Sequence, residues 1–180
     1  PLEAGHIQIA RARYRVRLPA SFQLVAACNP CNCGYHGDRE RECRCTPERV
    51  KQYQQRVSGP LLDRIDLQVS VPRLSESERN TLLQQGRAVG RDSKSIRMEV
   101  VACRERQIER AGCCNAKLEH QQVKAFCALS ARDTRMLNEA IARLQLSARA
   151  IFRILKIART IADLNDAENI GTPHLLEAIN

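Results

Sequence analysis

The period of the hydrophobic pattern changes near Pro72, and this change limits the folds open to the chain. Before it, short apolar stretches alternate with polar residues or run briefly between prolines, which is typical of strands. After it, apolar residues recur at three- and four-residue spacing, as on one face of a helix. The sequence therefore predicts an α/β part over 1–72, a linker over 73–93 and an all-α bundle over 94–180.

Three stretches of the first part are predicted strands. Residues 6–18 alternate between apolar and polar, and two backbone conformations are compatible with this pattern. A single extended strand would place Arg11, Arg13, Arg15 and Arg17 on one face, whereas a turn near residues 11–13 would make a hairpin with arginines at its tip. Residues 22–27 predict a buried, parallel-type strand that ends before Pro30, and residues 65–71 predict a further alternating strand.

Capping residues predict where the helices begin. Thr46 followed by Pro47 begins a helix that extends to about Val57, and residues 58–60 form a break. In the second part, Ser130 and Ser147 each precede a long apolar stripe. The other predicted helices cover 75–85, 94–111 and 115–129, with a loose connection over 86–92. Thr172-Pro173 is the start signal for a last predicted helix, over 174–179.

Charge and composition restrict the partners. The formal net charge is +9, which suits a phosphate-bearing partner such as nucleic acid or nucleotide, although a basic soluble surface explains it as well. The absence of Trp and the scarcity of aromatics argue against single-strand binding by stacked rings. No apolar run predicts a membrane span or a signal peptide, so a cytoplasmic location is expected. The chain begins with Pro1 and not Met, which indicates a piece of a longer or processed protein.

The nine cysteines are unevenly distributed, and five of them crowd into residues 28–45. In a reduced compartment such a cluster indicates a metal site in place of disulfides. Four thiolates at Cys31, Cys33, Cys43 and Cys45 would complete a structural zinc shell. Cys28 with Cys31 offers an alternative pair, and redox or iron–sulfur chemistry or unligated thiols are the other interpretations.

Three polar residues lie at positions where a ligand could be contacted. Asn29 follows a predicted strand, at the end where α/β sheets bind ligands, although Asn-Pro is also an ordinary turn. Arg64 precedes a strand between two aspartates; it is either a surface ion pair or a cation presented to a neighbouring subunit's γ-phosphate. Arg149 falls in the first turn of a helix, where a cation is favourable only beside an anion, or else points to solvent.

No phosphate-binding loop of the Gly-x4-Gly-Lys-Ser/Thr type occurs in the sequence, nor does an apolar run ending in paired acidic Mg²⁺ ligands. Without them nothing holds the β- and γ-phosphates or the metal. The chain by itself is therefore predicted not to hydrolyse ATP.

Long literal motifs, taken together, resemble one family. Val25-Ala26-Ala27-Cys28-Asn29-Pro30-Cys31, Glu42-Cys43-Arg44-Cys45-Thr46-Pro47 and Ser58-Gly59-Pro60-Leu61-Leu62-Asp63-Arg64-Ile65-Asp66-Leu67 resemble the magnesium-chelatase-like AAA+ ATPases of the ComM/YifB group. Leu146-Ser147-Ala148-Arg149-Ala150 and the stretch 158–164 resemble the lid helix of that family. The likeness covers nearly the whole chain, in order.

The resemblance implies a fold and roles. It implies the C-terminal part of an AAA+ P-loop NTPase core, with parallel-type strands, a hairpin and a cysteine-rich loop, followed by a helical lid. Asn29 matches sensor 1, Arg64 the arginine finger acting on the adjacent subunit, and Arg149 sensor 2. The four cysteines match the cysteine cluster of the family, with Zn²⁺ as the implied metal, and residues 6–18 match its hairpin.

The resemblance also implies the setting of the intact protein. ATP and Mg²⁺ would be its cofactors, held mainly by Walker A and B segments upstream of this sequence. The assembly would be a homo-oligomeric, hexameric ring acting on DNA as a helicase or branch-migration motor in natural transformation. Two alternatives stay open: a magnesium-chelatase motor subunit for metal insertion into porphyrin, and a zinc-dependent DNA-binding module without ATPase activity.

Overall fold

The structure, a computed structural model, describes residues 2, 4–11, 13–85 and 90–180. Its described part is a mixed α/β arrangement with eight α-helices and a two-stranded sheet. The chain forms two compact units, Pro1–Ser75 and Glu76–Asn180. The predicted linker over 73–93 includes residues 86–89, which lie outside the described residues.

An antiparallel hairpin begins the first unit. Strand β1 (His6–Arg11) pairs with β2 (Tyr14–Pro19), with Arg11 opposite Tyr14. This is the hairpin alternative, and it excludes the single extended strand. Directly opposed residues share a face, so the apolar side chains Ile7, Ile9, Val16 and Leu18 lie on one face and Arg15 and Arg17 on the other.

Two predicted strands are not formed in the described part of the chain. Residues 22–27 and 65–71 have no regular secondary structure, and neither pairs with a strand among the described residues. Val25 is 85% exposed and Val71 is 86% exposed, in contrast to the buried position expected for 22–27. The physical reason is that an extended segment becomes a strand only beside a neighbour that satisfies its N–H and C=O groups, and β1 and β2 pair with each other.

Two helices follow in the first unit. Helix α1 (Pro47–Gln54) begins as predicted, because the Thr46 hydroxyl accepts a hydrogen bond from the Arg49 N–H at 3.4 Å. It ends before the predicted Val57. Helix α2 (Gly59–Leu62) replaces the predicted break, since Pro60 in its first turn has a backbone angle already suited to a helix.

The second unit is helical, and polar residues that favour N-cap positions begin several of its helices. Asp92, Ser130 and Ser147 each accept a hydrogen bond from a backbone N–H of the first turn. None of the helices in the described residues combines the length and apolar composition that a membrane crossing requires. The helices are α3 (Glu76–Gln85), α4 (Ser93–Ala111), α5 (His120–Phe126), α6 (Ala131–Leu144), α7 (Ala148–Leu164) and α8 (Thr172–Ile179).

The single helix predicted over 115–129 is wrong. A short 3-10 helix (Asn115–Lys117) is followed by an extended Leu118, and α5 then begins after Glu119. The Gln122 side chain accepts a hydrogen bond from the Glu119 N–H at 2.9 Å, which forms a capping box. Leu118 is only 3% exposed, so the interruption brings this side chain into the core.

Helix α7 is the centre of the core of the second unit. Ala158 and Ala162 are fully buried, and their small side chains allow neighbouring elements to approach α7 closely. Leu175 of α8 is also fully buried. The remaining buried apolar members of the cluster are Leu118, Val123, Cys127, Leu137, Ile154 and Ile170.

A buried carboxylate links α7 to α4. Asp163 is 1% exposed and accepts two hydrogen bonds from Arg110, at 2.6 and 2.7 Å. Arg159 and the Asn115 amide also donate to it, at 3.1 and 2.8 Å. Burial raises the pKa of Asp163, but these donors and the two guanidinium charges outweigh burial and lower it.

The substitution Asp163→Asn is expected to destabilise the second unit by about 3–5 kcal/mol, the usual cost of removing one partner from a buried ion pair. Arg110 and Arg159 would then share a buried site without a counter-charge. Chemical denaturation of the chain followed by circular dichroism measures this loss. Asp166→Asn is the matched control, because Asp166 is 81% exposed in its ion pair with Arg106, and a change above about 1 kcal/mol is not expected there.

The pH dependence of stability gives a second test of the Asp163→Asn substitution. Because the pKa of Asp163 is lowered on folding, its contribution is complete above the ordinary pKa of about 3.9 and is lost as the pH falls through the lower folded value. Asp163→Asn should therefore reduce the acid sensitivity of the second unit. An unchanged stability and an unchanged acid profile would contradict a stabilising role for this carboxylate.

Candidate functional site

The four predicted cysteines converge in the first unit. The Sγ atoms of Cys31, Cys33, Cys43 and Cys45 all lie within 4.8 Å of one another. Cys31 Sγ lies 3.4 Å from Cys33 Sγ and 3.7 Å from Cys43 Sγ, and Cys33 and Cys43 are 3.6 Å apart. Cys31 is fully buried and the other three are half-buried.

Backbone donors surround one pair of thiols. The N–H groups of Tyr35 and Arg44 donate to Cys33 and lower its pKa to about 6. At Cys31, burial raises the pKa, but backbone donors that include the His36 N–H outweigh it, so the pKa is lowered. These donors stabilise thiolates, which are the form that binds a metal.

The second pair has the opposite shift. At Cys43 the Cys45 N–H lowers the pKa, but burial and the hydrogen-bonded thiols of Cys33 and Cys31 outweigh it and raise the pKa to about 12. At Cys45 the Cys33 N–H also lowers the pKa, and the side chain of Cys33 and burial outweigh it, so the pKa is raised. Four adjacent thiols cannot all ionise without a compensating cation.

The residues present fit a tetrahedral metal. Zinc–sulfur bonds of about 2.3 Å give sulfur–sulfur distances of about 3.8 Å in a tetrahedron. The sulfurs of Cys31, Cys33 and Cys43 are 3.4–3.7 Å apart, and all four sulfurs lie within 4.8 Å of one another. Four cysteines would leave no open coordination position, so the site is suited to a structural ion. Cys28 is exposed and stands outside the group of four, so the alternative Cys28–Cys31 pair is not what the structure brings together.

Helix α1 borders the cysteine cluster. A cleft of about 300 Å³ is lined on one side by Cys43 and Cys45 and on the other by α1 residues that include Val50 and Lys51. Val50 is 6% exposed, and the Gln54 amide reaches the Pro30 carbonyl at 3.5 Å. The capped helix therefore supports the loop that carries the thiols.

Asn29 and Arg64 both lie in the first unit. Asn29 is exposed and lies between residues 22–27 and the cysteine cluster in the sequence. Arg64 follows α2 and is partly exposed, and its Nη1 donates to the Pro60 carbonyl at 2.5 Å. The sensor and finger roles of these two residues stay predictions.

Arg149 lies in the second unit, in the first turn of α7. It is exposed, and the Ser147 hydroxyl caps the same turn by accepting from the Ala150 N–H at 3.2 Å. The position is the one predicted from the sequence, at the positive end of the helix dipole. The role of Arg149 toward a nucleotide stays a prediction.

The arginines of residues 11–17 are all exposed. Arg15 and Arg17 share one face of the hairpin, Arg13 lies in the turn, and Arg11 belongs to the apolar face. Arg17 Nη2 lies 3.1 Å from His6 Nδ1 on the opposing strand. The hairpin therefore presents two of the four arginines as a pair and one at the tip.

Sequence reasoning missed the contacts that shape the cysteine loop. Asp38 accepts hydrogen bonds from the Glu40 and Arg41 N–H groups at 2.8 and 3.0 Å. Arg41 donates to the Tyr35 hydroxyl at 2.8 Å, and Arg73 pairs with Asp38 at 3.4 Å. An Asp directly after Gly37 was a visible turn signal, whereas nothing in the sequence pointed to Arg73.

Comparison with known proteins gives two family matches. The family model of magnesium chelatase, subunit ChlI, matches residues 1–79. The model of the C-terminal part of subunit ChlI matches residues 90–180. Together they account for both units.

Individual relatives match along the whole chain. Competence protein ComM of Haemophilus influenzae is 42% identical over 179 residues, which cover 99% of this chain and 34% of that protein. Proteins named YifB from Salmonella typhimurium and Escherichia coli are each 40% identical over 181 residues, covering 100% of this chain and 34% of the relative. The chain thus spans about a third of the length of these curated relatives.

Proposed function

Because this chain belongs to the magnesium chelatase ChlI family, we propose that it is the C-terminal portion of an AAA+ ATPase motor subunit that acts on DNA. The observation that carries this proposal is the 42% identity to a competence protein, ComM, along 99% of the chain. The proposed activity is ATP-driven DNA remodelling, of the helicase or branch-migration type used in natural transformation. It belongs to the intact protein, which we propose to be a cytoplasmic, hexameric ring.

The nucleotide is proposed to be held mainly by other residues of the intact protein. Its phosphate-binding loop and Mg²⁺ ligands would lie outside residues 1–180, in the part of the relatives that this chain does not cover. Asn29 would orient the attacking water, Arg64 would contact the γ-phosphate of the adjacent subunit, and Arg149 would contact the nucleotide of its own subunit. Asn29 and Arg149 are exposed and Arg64 is partly exposed, which supports such contacts.

Two exposed apolar segments, residues 22–27 and 65–71, support the same proposal. Val25, Val69 and Val71 are 85%, 79% and 86% exposed, which is unfavourable for β-branched side chains in water. In the intact protein, residues 22–27 and 65–71 would pair with further strands of an AAA+ core. Asn29 would then stand at the end of a paired strand, where α/β sheets place ligands.

The four cysteines are proposed to hold Zn²⁺. Cys31, Cys33, Cys43 and Cys45 would bind it, and the ion would fix the loop between the two cysteine pairs without taking part in catalysis. The ion would join Cys31 and Cys33 to Cys43 and Cys45, and so would fix both ends of the loop 34–42.

The hairpin is the proposed DNA contact. Reversing the charges of Arg15 and Arg17 to glutamate in the full-length protein is expected to weaken duplex binding and to abolish DNA stimulation of ATP hydrolysis, because the paired cations neutralise backbone phosphates. In a salt series, the slope of log K against log salt should become shallower by about 2. Gel shifts and ATPase assays with and without DNA measure these effects.

The matched control reverses Arg135 and Arg143, which are exposed on α6 and carry the same total charge. This control should retain most of the DNA stimulation. Equal losses in both double variants would show that the effect depends on net charge and not on the hairpin. Full DNA stimulation in the hairpin variant would refute the hairpin contact.

Two other functions are distinguished by simple observations. The family description favours a magnesium-chelatase motor for insertion into porphyrin, and recovery of a chelatase partner with no response to DNA would support it. The cysteine loop and basic hairpin argue against this function. A zinc-dependent DNA-binding module would require the 180-residue chain alone to bind duplex with a steep salt dependence.

A further inference from the structure

Arg73 joins the end of the first unit to the cysteine loop. Its Nε lies 3.4 Å from Asp38 Oδ2, and its Nη1 lies 3.6 Å from Glu40 Oε2. Its Cζ also lies 5.8 Å from the centroid of the Tyr35 ring. One guanidinium, 34% exposed, therefore contacts three side chains from a distant part of the sequence.

Those three side chains lie between the two cysteine pairs and shape the loop there. The Tyr35 N–H donates to the Cys33 sulfur, so the residue whose ring faces Arg73 also contacts one of the four cysteines through its backbone. Asp38 uses Oδ1 to accept from two backbone N–H groups of the turn, while its Oδ2 faces Arg73. The carboxylate side chain of Asp38 is only 12% exposed.

The conformation of this loop depends on what holds the thiols together. The apolar contacts that order a core are scarce here, since most residues of 34–42 are exposed or half-buried. A metal bound by all four cysteines fixes both ends of the loop. In the structure, Tyr35, Asp38 and Glu40 of this loop converge on the guanidinium of Arg73.

We propose that Arg73 is a positioning residue of the four-cysteine metal site. Metal binding orders the loop that holds Arg73, and Arg73 in turn favours the loop conformation that retains the metal. The two effects are reciprocal, because coupling between two binding events acts equally in both directions. A bound metal consequently fixes the position of Arg73, which lies close to the end of the first unit at Ser75.

Zinc retention in the purified full-length protein tests this inference. Arg73→Ala should release zinc to a chromogenic chelator about three- to tenfold faster than the parent chain, less than the loss usual for direct outer-shell partners. Arg39→Ala is the matched control, because Arg39 is exposed in the same loop and its removal changes the charge equally. The control should release zinc at the parent rate.

A double-substitution cycle separates the contact from general damage. In an Asp38→Asn background the Arg73→Ala effect should shrink, because its main ionic partner is already gone. Trypsin cleavage after Arg73, followed by mass spectrometry, should accelerate when zinc is chelated. Equal zinc release from the Arg73 and Arg39 variants, additive effects in the cycle, or a chain that binds no zinc would each overturn the inference.

This inference rests on metal binding by the four cysteines and not on DNA or ATP chemistry. A full-length protein without DNA-stimulated ATPase activity would refute the proposed motor and leave the Arg73 result unaffected. Conversely, an Arg73 variant with normal zinc release would leave the motor proposal intact.

Discussion

Replacing Arg64 with alanine in the full-length protein is expected to lower ATP turnover by about 10³-fold or more, the range found when an arginine finger is removed. The proposed role places its guanidinium against the γ-phosphate of an adjacent subunit, where it would stabilise charge in the transition state. Arg64 is partly exposed after α2, and its contact to the Pro60 carbonyl links it to that short helix. Steady-state ATPase assays at saturating nucleotide measure the loss.

Two further variants make the Arg64 result specific. Arg56→Ala removes the same charge from the same unit, at a residue whose guanidinium lies over the Tyr53 ring at 5.5 Å. It should keep turnover near the parent value. Arg64→Lys retains the charge but not the planar fork, so it should recover only part of the activity. Normal turnover in Arg64→Ala would remove the finger assignment.

Replacing Cys31 with serine is expected to abolish zinc binding, the second large effect. Structural zinc sites contribute about 10–16 kcal/mol of apparent binding free energy, which depends on the complete ligand set. Cys31 is fully buried at the centre of the cluster, within 3.4 and 3.7 Å of two other thiols. Metal analysis of the purified chain should find one zinc in the parent and none in the variant.

Cys28→Ser is the matched control for the cysteine site. Cys28 is exposed and outside the group of four, so its replacement should leave one zinc per chain. Loss of zinc in the Cys28 variant with retention in the Cys31 variant would contradict the assigned ligand set. The comparison uses the same substitution at neighbouring positions.

Local signals predicted much of the helical structure. Thr46, Ser130 and Ser147 cap their helices as predicted, because each side chain bonds to a backbone group only three residues away. The cysteine group could be predicted in the same way, since four closely spaced cysteines are recognisable from the sequence alone. The same local rules would have divided residues 115–129, where Glu119 and Gln122 form a capping box that was overlooked.

Features that depend on distant partners were not predictable in the same way. Residues 22–27 have the composition of a strand, but pairing requires a neighbour that composition does not specify. Asp163 meets Arg110 across 53 positions of sequence, and Arg73 meets Asp38 from the far end of the first unit. No periodicity or motif encodes such contacts, so only the folded chain shows them.

Mixing two inactive forms of the full-length protein tests the central claim, that Arg64 serves a nucleotide held by another subunit. One form carries Arg64→Ala, and the other has an inactivated phosphate-binding loop and an intact Arg64. We expect mixed assemblies to regain ATPase activity, because intact loops then face intact arginines across subunit boundaries. Mixtures that stay as inactive as their components, although shown to co-assemble, would contradict it.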